Sequence, residues 1–133
     1  MTKLEIVQSL YAAFDAGDID AVVALLADDI VWNEAENNKL ADRNPYVGPQ
    51  AVVEGVFARL MEDFEGFAVE IGRFVAEGEV VVMVGRYSAT ARATGEGMNP
   101  QVVHIWTVRG GRIAAYQQHV DTLALARALG EVG

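Results

Sequence analysis

Gln101–Asp121, QVVHIWTVRGGRIAAYQQHVD, is the stretch whose reading decides the fold. Two runs rich in Val, Ile, Trp and Tyr flank Arg109-Gly110-Gly111-Arg112. Adjacent glycines tolerate the positive φ of a tight turn, so the stretch reads as a β-hairpin. Its polar residues are unexpected in a hairpin covered on both faces: His104, Gln117, Gln118, His119 and Asp121. Side chains two apart in a strand share a face, so His104 groups with Trp106, and Gln117 groups with His119 and Asp121. Mixed aromatic and polar faces suit a pocket wall, where apolar groups exclude water and a few polar groups orient a ligand.

Upstream of the hairpin the hydrophobic period changes from helical to alternating near Phe67. Thr2-Lys3-Leu4-Glu5 has the form of a capping box, and Leu4, Val7, Leu10 or Tyr11, and Phe14 recur at helical spacing, predicting a helix from Lys3 to Ala16. Gly17 ends it, and Asp18 caps a second helix through Leu26. Ile30–Glu34 reads as a short strand and Asn37–Pro49 as a long loop. Gly48-Pro49 opens a third helix with Val52, Val56, Phe57, Leu60 and Met61 as its stripe. Strands are expected at Ala68–Ala76, Val80–Thr94 and the two hairpin arms, with Thr122–Leu129 as a closing helix. Three helices and a strand, then a run of antiparallel strands, give an α+β arrangement with helices on one face of a curved sheet.

The 133 residues fit one domain, residues 1–133, with no repeat or linker. Such a domain buries roughly 68% of the surface its unfolded chain exposes. With no cysteine there is neither a disulfide framework nor a thiolate nucleophile. A net charge of −9 with scattered Lys and Arg argues against nucleic acid as a partner. No apolar run reaches the roughly 18–20 residues that cross a bilayer, and the start MTKLEIVQSL has no secretory pattern, so a cytoplasmic protein without membrane partners is expected. A hydrophobic share of 52% is high for one small domain and places some apolar surface in a subunit interface or a cavity as well as the core, with a homodimer as the default expectation.

Three segments carry a family resemblance: FDAGDIDAVVALLADDIVW (Phe14–Trp32), Asn44-Pro45-Tyr46-Val47-Gly48-Pro49, and HIWTVRGGRIAAYQQHVDT (His104–Thr122). Together they resemble the SnoaL-like polyketide cyclase and ketosteroid isomerase-related group of the nuclear transport factor 2-like superfamily. The resemblance implies a cone-shaped α+β barrel, three N-terminal helices on a curved, mainly antiparallel sheet, with a pocket between them. Aligned with the ketosteroid isomerases, Glu34 falls at their general base. Leu10 falls at their oxyanion tyrosine, with Tyr11 one step away on another face, and His104 falls at their oxyanion aspartate, so that oxyanion hole is not reproduced. Asp121 matches the acid/base aspartate of the polyketide cyclases, with His119 in place of the usual aromatic. The region GRYSATAR (Gly85–Arg92) lacks the aspartate of limonene-type epoxide hydrolases.

These readings converge on Glu34, Asp121 and His104 as catalytic candidates. Glu34 shares parity with Ile30 and Trp32, and a carboxylate in an apolar cavity has its pKa raised toward neutrality. The alternative is that the strand ends at Asn33 and Glu34 is the first solvated loop residue. Asp121 equally suits the N-cap of the last helix. Trp32, Asn33, Tyr46, Trp106, Gln117 and His119 are the expected substrate-binding residues. No metal is expected, since the histidines and carboxylates lack a local ligand spacing, and no cofactor, since the chain has no GxxxxGK[ST], GxGxxG or GxSxG. The expected function is acid/base proton transfer on a small, mostly apolar carbonyl compound, by an isomerase, cyclase or dehydratase. The alternative is a non-catalytic small-molecule-binding or dimeric interaction module.

Overall fold

A computed structural model describes residues 1–132. Helices α1 (Lys3–Asp15) and α2 (Ile19–Leu25) lead into strand β1 (Leu26–Asn33). A 3₁₀ turn (Lys39–Arg43) and the two-residue strand β2 (Tyr46–Val47) follow. The third helical segment comprises α3 (Pro49–Val52), a π turn (Val53–Phe57) and α4 (Ala58–Asp63). The sheet continues with β3 (Phe64–Glu77), β4 (Val80–Ala91), β5 (Gly97–Met98), β6 (Gln101–Arg109) and β7 (Arg112–Val120), and α5 (Thr122–Leu129) closes the chain. The spatial order is β2-β1-β7-β6-β4-β3, with β5 paired to β4. Among the described residues only β1 against β7 is parallel; the helices pack on one curved, mainly antiparallel sheet, the cone-shaped α+β architecture.

Local chemistry explains the elements. The Thr2 hydroxyl accepts from the Glu5 N–H at 3.1 Å while the Glu5 carboxylate accepts from the Thr2 N–H at 2.9 Å, a complete capping box. At the hairpin tip Gly110 (φ 61°) and Gly111 (φ 78°) both adopt the left-handed conformation, and Arg109 pairs with Arg112 across the turn. The register then shifts between Thr107 and Val108, which inserts one extra residue into β7. The third helix differs from its sequence pattern. Its middle turn widens to π geometry where Gly55 meets the ring of Tyr46; a Cβ there would collide with that ring.

The core lies between the helices and the sheet's concave face. Val7, Val22, Leu26, Ile30, Val52, Val81 and Val108 are fully enclosed, and each contributes about 1.5–3 kcal/mol by leaving water. Among the described residues no helix is long and apolar enough to cross a membrane.

Candidate functional site

Where β1 runs out, Glu34 turns inward. Strand pairing ends at Asn33, as in the solvated-loop alternative, yet Glu34 is only 3% exposed. Asn44 holds it there: its Oδ1 accepts from the Glu34 N–H at 3.0 Å and its Nδ2 donates to the Glu34 carbonyl at 2.8 Å. One residue on, the Ala35 N–H donates to Gln118 Oε1 at 3.2 Å. The two side-chain amides satisfy backbone groups that the ladder no longer serves. The chain therefore keeps its strand-like course and carries the carboxylate into the interior.

The Glu34 carboxylate receives one hydrogen bond from protein, Trp32 Nε1 donating to Oε2 at 3.1 Å. Desolvation by burial pushes its pKa up from 4.5 to about 7, opposed by the Trp32 bond and the distant Arg59 charge. It borders a cavity with Tyr11, Trp32, Phe57, Phe67, Tyr87, His104, Trp106, Tyr116 and Gln118. The cavity is tight. About 40 Å³ is open to the centres of water molecules, so in this state it takes only a small guest. Closely packed, mutually tilted rings make its floor: Trp32 and Trp106 lie with ring centroids 4.0 and 4.4 Å from that of Tyr116.

Opposite the hydrocarbon of the helices stands a hydrogen-bonded polar wall, to which α1 adds the hydroxyl of Tyr11. His104 Nδ1 is 2.7 Å from the Tyr11 hydroxyl and Nε2 is 2.5 Å from that of Tyr87. Trp106 Nε1 donates to the Tyr11 oxygen at 2.8 Å, and Gln118 Nε2 donates to the Tyr87 oxygen at 2.8 Å. Asn38 Nδ2 in turn donates to Gln118 Oε1 at 2.8 Å. Burial alone drives the His104 pKa from 6.5 to about 3, so the imidazole is neutral. Burial raises all three phenols, Tyr11, Tyr87 and Tyr116, which stay protonated near neutral pH.

Glu34, His104, Trp32 and Trp106 thus come together at one cavity, and the other expected residues lie elsewhere. Asp121 is exposed and accepts from the Ala124 N–H at 3.2 Å as the N-cap of α5. His119 is exposed and Gln117 half-buried on the sheet's other face, because the bulge in β7 turns Tyr116 and Gln118 inward instead. Asn33 pairs beside Gln117 on that same outer side. The Tyr46 ring is buried against Gly55, and its hydroxyl donates to the Leu40 carbonyl rather than toward the cavity. His104 reaches the cavity wall, but both its nitrogens are engaged by tyrosines. Tyr11 is a further correction: it lies on the inner face together with Leu10, not on another one.

Sequence reasoning passed over Gln118, Tyr87 and Tyr116 as site residues. Tyr87 carried a signal, since Val81, Met83, Tyr87, Ala89 and Ala91 alternate as the inward face of β4. Gln118 carried none, because its direction depends on a bulge.

The SnoaL-like domain family model matches residues 7–116. A search of curated proteins found no match. Among solved structures, an NTF2-like protein from Burkholderia thailandensis is 36% identical with a TM-score of 0.92, covering 97% of this chain and 98% of that one. TerC, co-crystallised with polyporic acid, is 22% identical with a TM-score of 0.86 over 96% of this chain and 98% of its own. IdmH of Streptomyces antibioticus, proposed to be a polyketide cyclase, is 19% identical with a TM-score of 0.81 over 98% of this chain and 99% of its own. The last two show likeness of fold alone. A family match across most of the chain, on a cone fold with a cavity under its helices, means that this chain belongs to the SnoaL-like family within the NTF2-like fold.

Proposed function

We propose that the chain is a cofactor-independent acid–base enzyme that moves a proton on a small, mostly apolar carbonyl compound. Glu34 takes a proton from the carbon next to the carbonyl, and a phenolic hydroxyl of the polar wall donates to the carbonyl oxygen as negative charge develops there. One observation carries the reading: a carboxylate 3% exposed, with a single hydrogen bond from protein and a pKa raised to about 7, bordering an aromatic cavity. A merely structural carboxylate at such a site would collect further donors, since an underpaired buried charge is costly. Isomerisation, cyclisation and dehydration all begin with the same proton abstraction, and the small cavity favours compact substrates.

Exchange of α-protons of cyclohexanone in deuterated water, followed by NMR, tests the base. Wild-type protein should accelerate exchange, and Glu34→Gln should lose most of that acceleration. Equal exchange by both proteins sinks the assignment and leaves a small-molecule-binding module as the better reading. The homodimer is a separate proposal, supported by exposed Ile71 (46%) and Val75 (50%) along β3. Sedimentation at micromolar concentration should show a dimer; monomers alone would remove it.

A further inference from the structure

The hydrogens of Tyr11, His104 and Tyr87 can be counted. Two donors outside the trio are fixed. Trp106 Nε1–H can only donate, and it does so to the Tyr11 oxygen at 2.8 Å. Gln118 is oriented by the Ala35 N–H, which donates to its Oε1 at 3.2 Å, so its amino group is the end that meets the Tyr87 oxygen at 2.8 Å. Each phenol oxygen therefore already accepts at least one hydrogen, and Tyr87 has the Tyr116 hydroxyl as a further hydrogen-bonding neighbour.

Within the trio there are two contacts, Tyr11 to Nδ1 at 2.7 Å and Tyr87 to Nε2 at 2.5 Å, and each uses one hydrogen. A neutral imidazole carries one N–H and each phenol one O–H. Three hydrogens serve two bonds, so one phenolic hydrogen is left over. With the ring hydrogen on Nδ1, His104 donates to Tyr11 and accepts from Tyr87, and the spare hydrogen is on Tyr11. With it on Nε2, the directions reverse and the spare hydrogen is on Tyr87.

We propose that Tyr11, His104 and Tyr87 form a relay with one spare hydroxyl hydrogen, and that the tautomer of His104 decides which tyrosine offers it to a ligand oxygen in the cavity. Both tyrosines line that cavity. The two arrangements contain the same three hydrogens and carry no net charge, so choosing between them requires no ionisation in an apolar interior. An imidazolium would spoil the count by adding a second N–H; burial, which holds the His104 pKa near 3, opposes it. A guest oxygen at the Tyr11 end selects one tautomer, and one at the Tyr87 end selects the other. His104 is thus a positioning residue, acting through the tyrosines. The relay rests on the acid–base reading only for the nature of the guest.

Two-bond ¹H–¹⁵N NMR of ring-labelled histidine tests it, with His119→Gln leaving His104 as the one histidine. At neutral pH the spectrum should be that of a neutral ring, one nitrogen protonated and one bare, or their exchange average. Tyr11→Phe removes the partner of Nδ1. An orphaned buried N–H is rarer than an unfilled acceptor, so the hydrogen should move to Nε2. Tyr87→Phe should move it to Nδ1. Opposite tautomers in the two variants support the relay; the same tautomer in both, or an imidazolium in the otherwise wild-type protein, overturns it. The spectrum with both tyrosines intact tests the neutral state even where a phenylalanine variant unfolds. Opposite tautomers without any ketone exchange would keep the relay and remove the carbonyl chemistry, so the two failures are distinguishable.

Discussion

Glu34 and Asp121 carry the same functional group just past the ends of two parallel neighbours, β1 and β7, and their surroundings make them different reagents. Asp121 faces solvent and spends its carboxylate on the first turn of α5. Glu34 is drawn inward by Asn44, loses its water and receives one hydrogen bond from protein in return. Position along the chain is nearly equivalent in the two cases. What separates them is whether the next residues start a helix, which needs an acceptor at its N-terminus, or a clamped loop, which holds the strand direction for one more residue.

The sharpest way to break this contrast is catalytic. Glu34→Gln should lower cyclohexanone exchange by about 10²–10⁴-fold, the usual range for loss of a positioned base, while Asp121→Asn should leave it within a few-fold. Comparable losses in both variants would put Asp121 back into the chemistry.

The next effect is on stability. In the folded chain Glu34 has a pKa of about 7 against 4.5 for the ordinary group, so between those values the native state holds a proton that the unfolded state releases. Its contribution is fully present below 4.5 and is lost as pH rises toward 7. Glutamine cannot titrate, so Glu34→Gln should gain on the wild type by about 3 kcal/mol between mildly acid and mildly alkaline solution, at 1.36 kcal/mol per pKa unit. Urea denaturation of both proteins across that range measures it; a constant difference would mean that Glu34 is hydrated. The same ionisation should make kcat/KM for exchange climb with pH and level off above about 7.

Asp121 gives the smallest effect. Asp121→Ala should cost about 1 kcal/mol, the value of a helix N-cap, and Asp121→Asn much less because asparagine caps as well. Thermal unfolding of the two variants checks this.

Much of the fold could be read directly. The paired glycines, the Thr2–Glu5 box and the change of period near Phe67 each correspond to an observed element, and the parity of Ile30, Trp32 and Glu34 pointed the carboxylate inward. The hairpin's faces were harder. From the Arg109–Arg112 turn, a regular ladder would set His104 opposite Gln117, and the polar set Gln117, His119 would line the pocket. One extra residue after the turn sets His104 opposite Gln118 instead and reverses every side chain beyond it. Nothing in Ala114-Ala115 marks that bulge. Tyr11 was obscured differently: a helix stripe over 100° wide has room for both Leu10 and Tyr11, so being one residue from an aligned position does not mean facing away.

The cavity's two sides are made by different parts of the chain. Proton-handling groups come from the sheet, from Glu34 and, on α1, from Tyr11, held by amides and phenols that bond one another, whereas the neighbouring helix residues Leu10, Val56, Phe57 and Leu60 close the space with hydrocarbon. Exchanging one of these four hydrocarbon side chains for a smaller one therefore leaves the acid–base groups their partners while enlarging the room above them. Selectivity for guest size and the capacity for chemistry can drift independently, and one lineage can acquire new substrates without rebuilding its reactive centre.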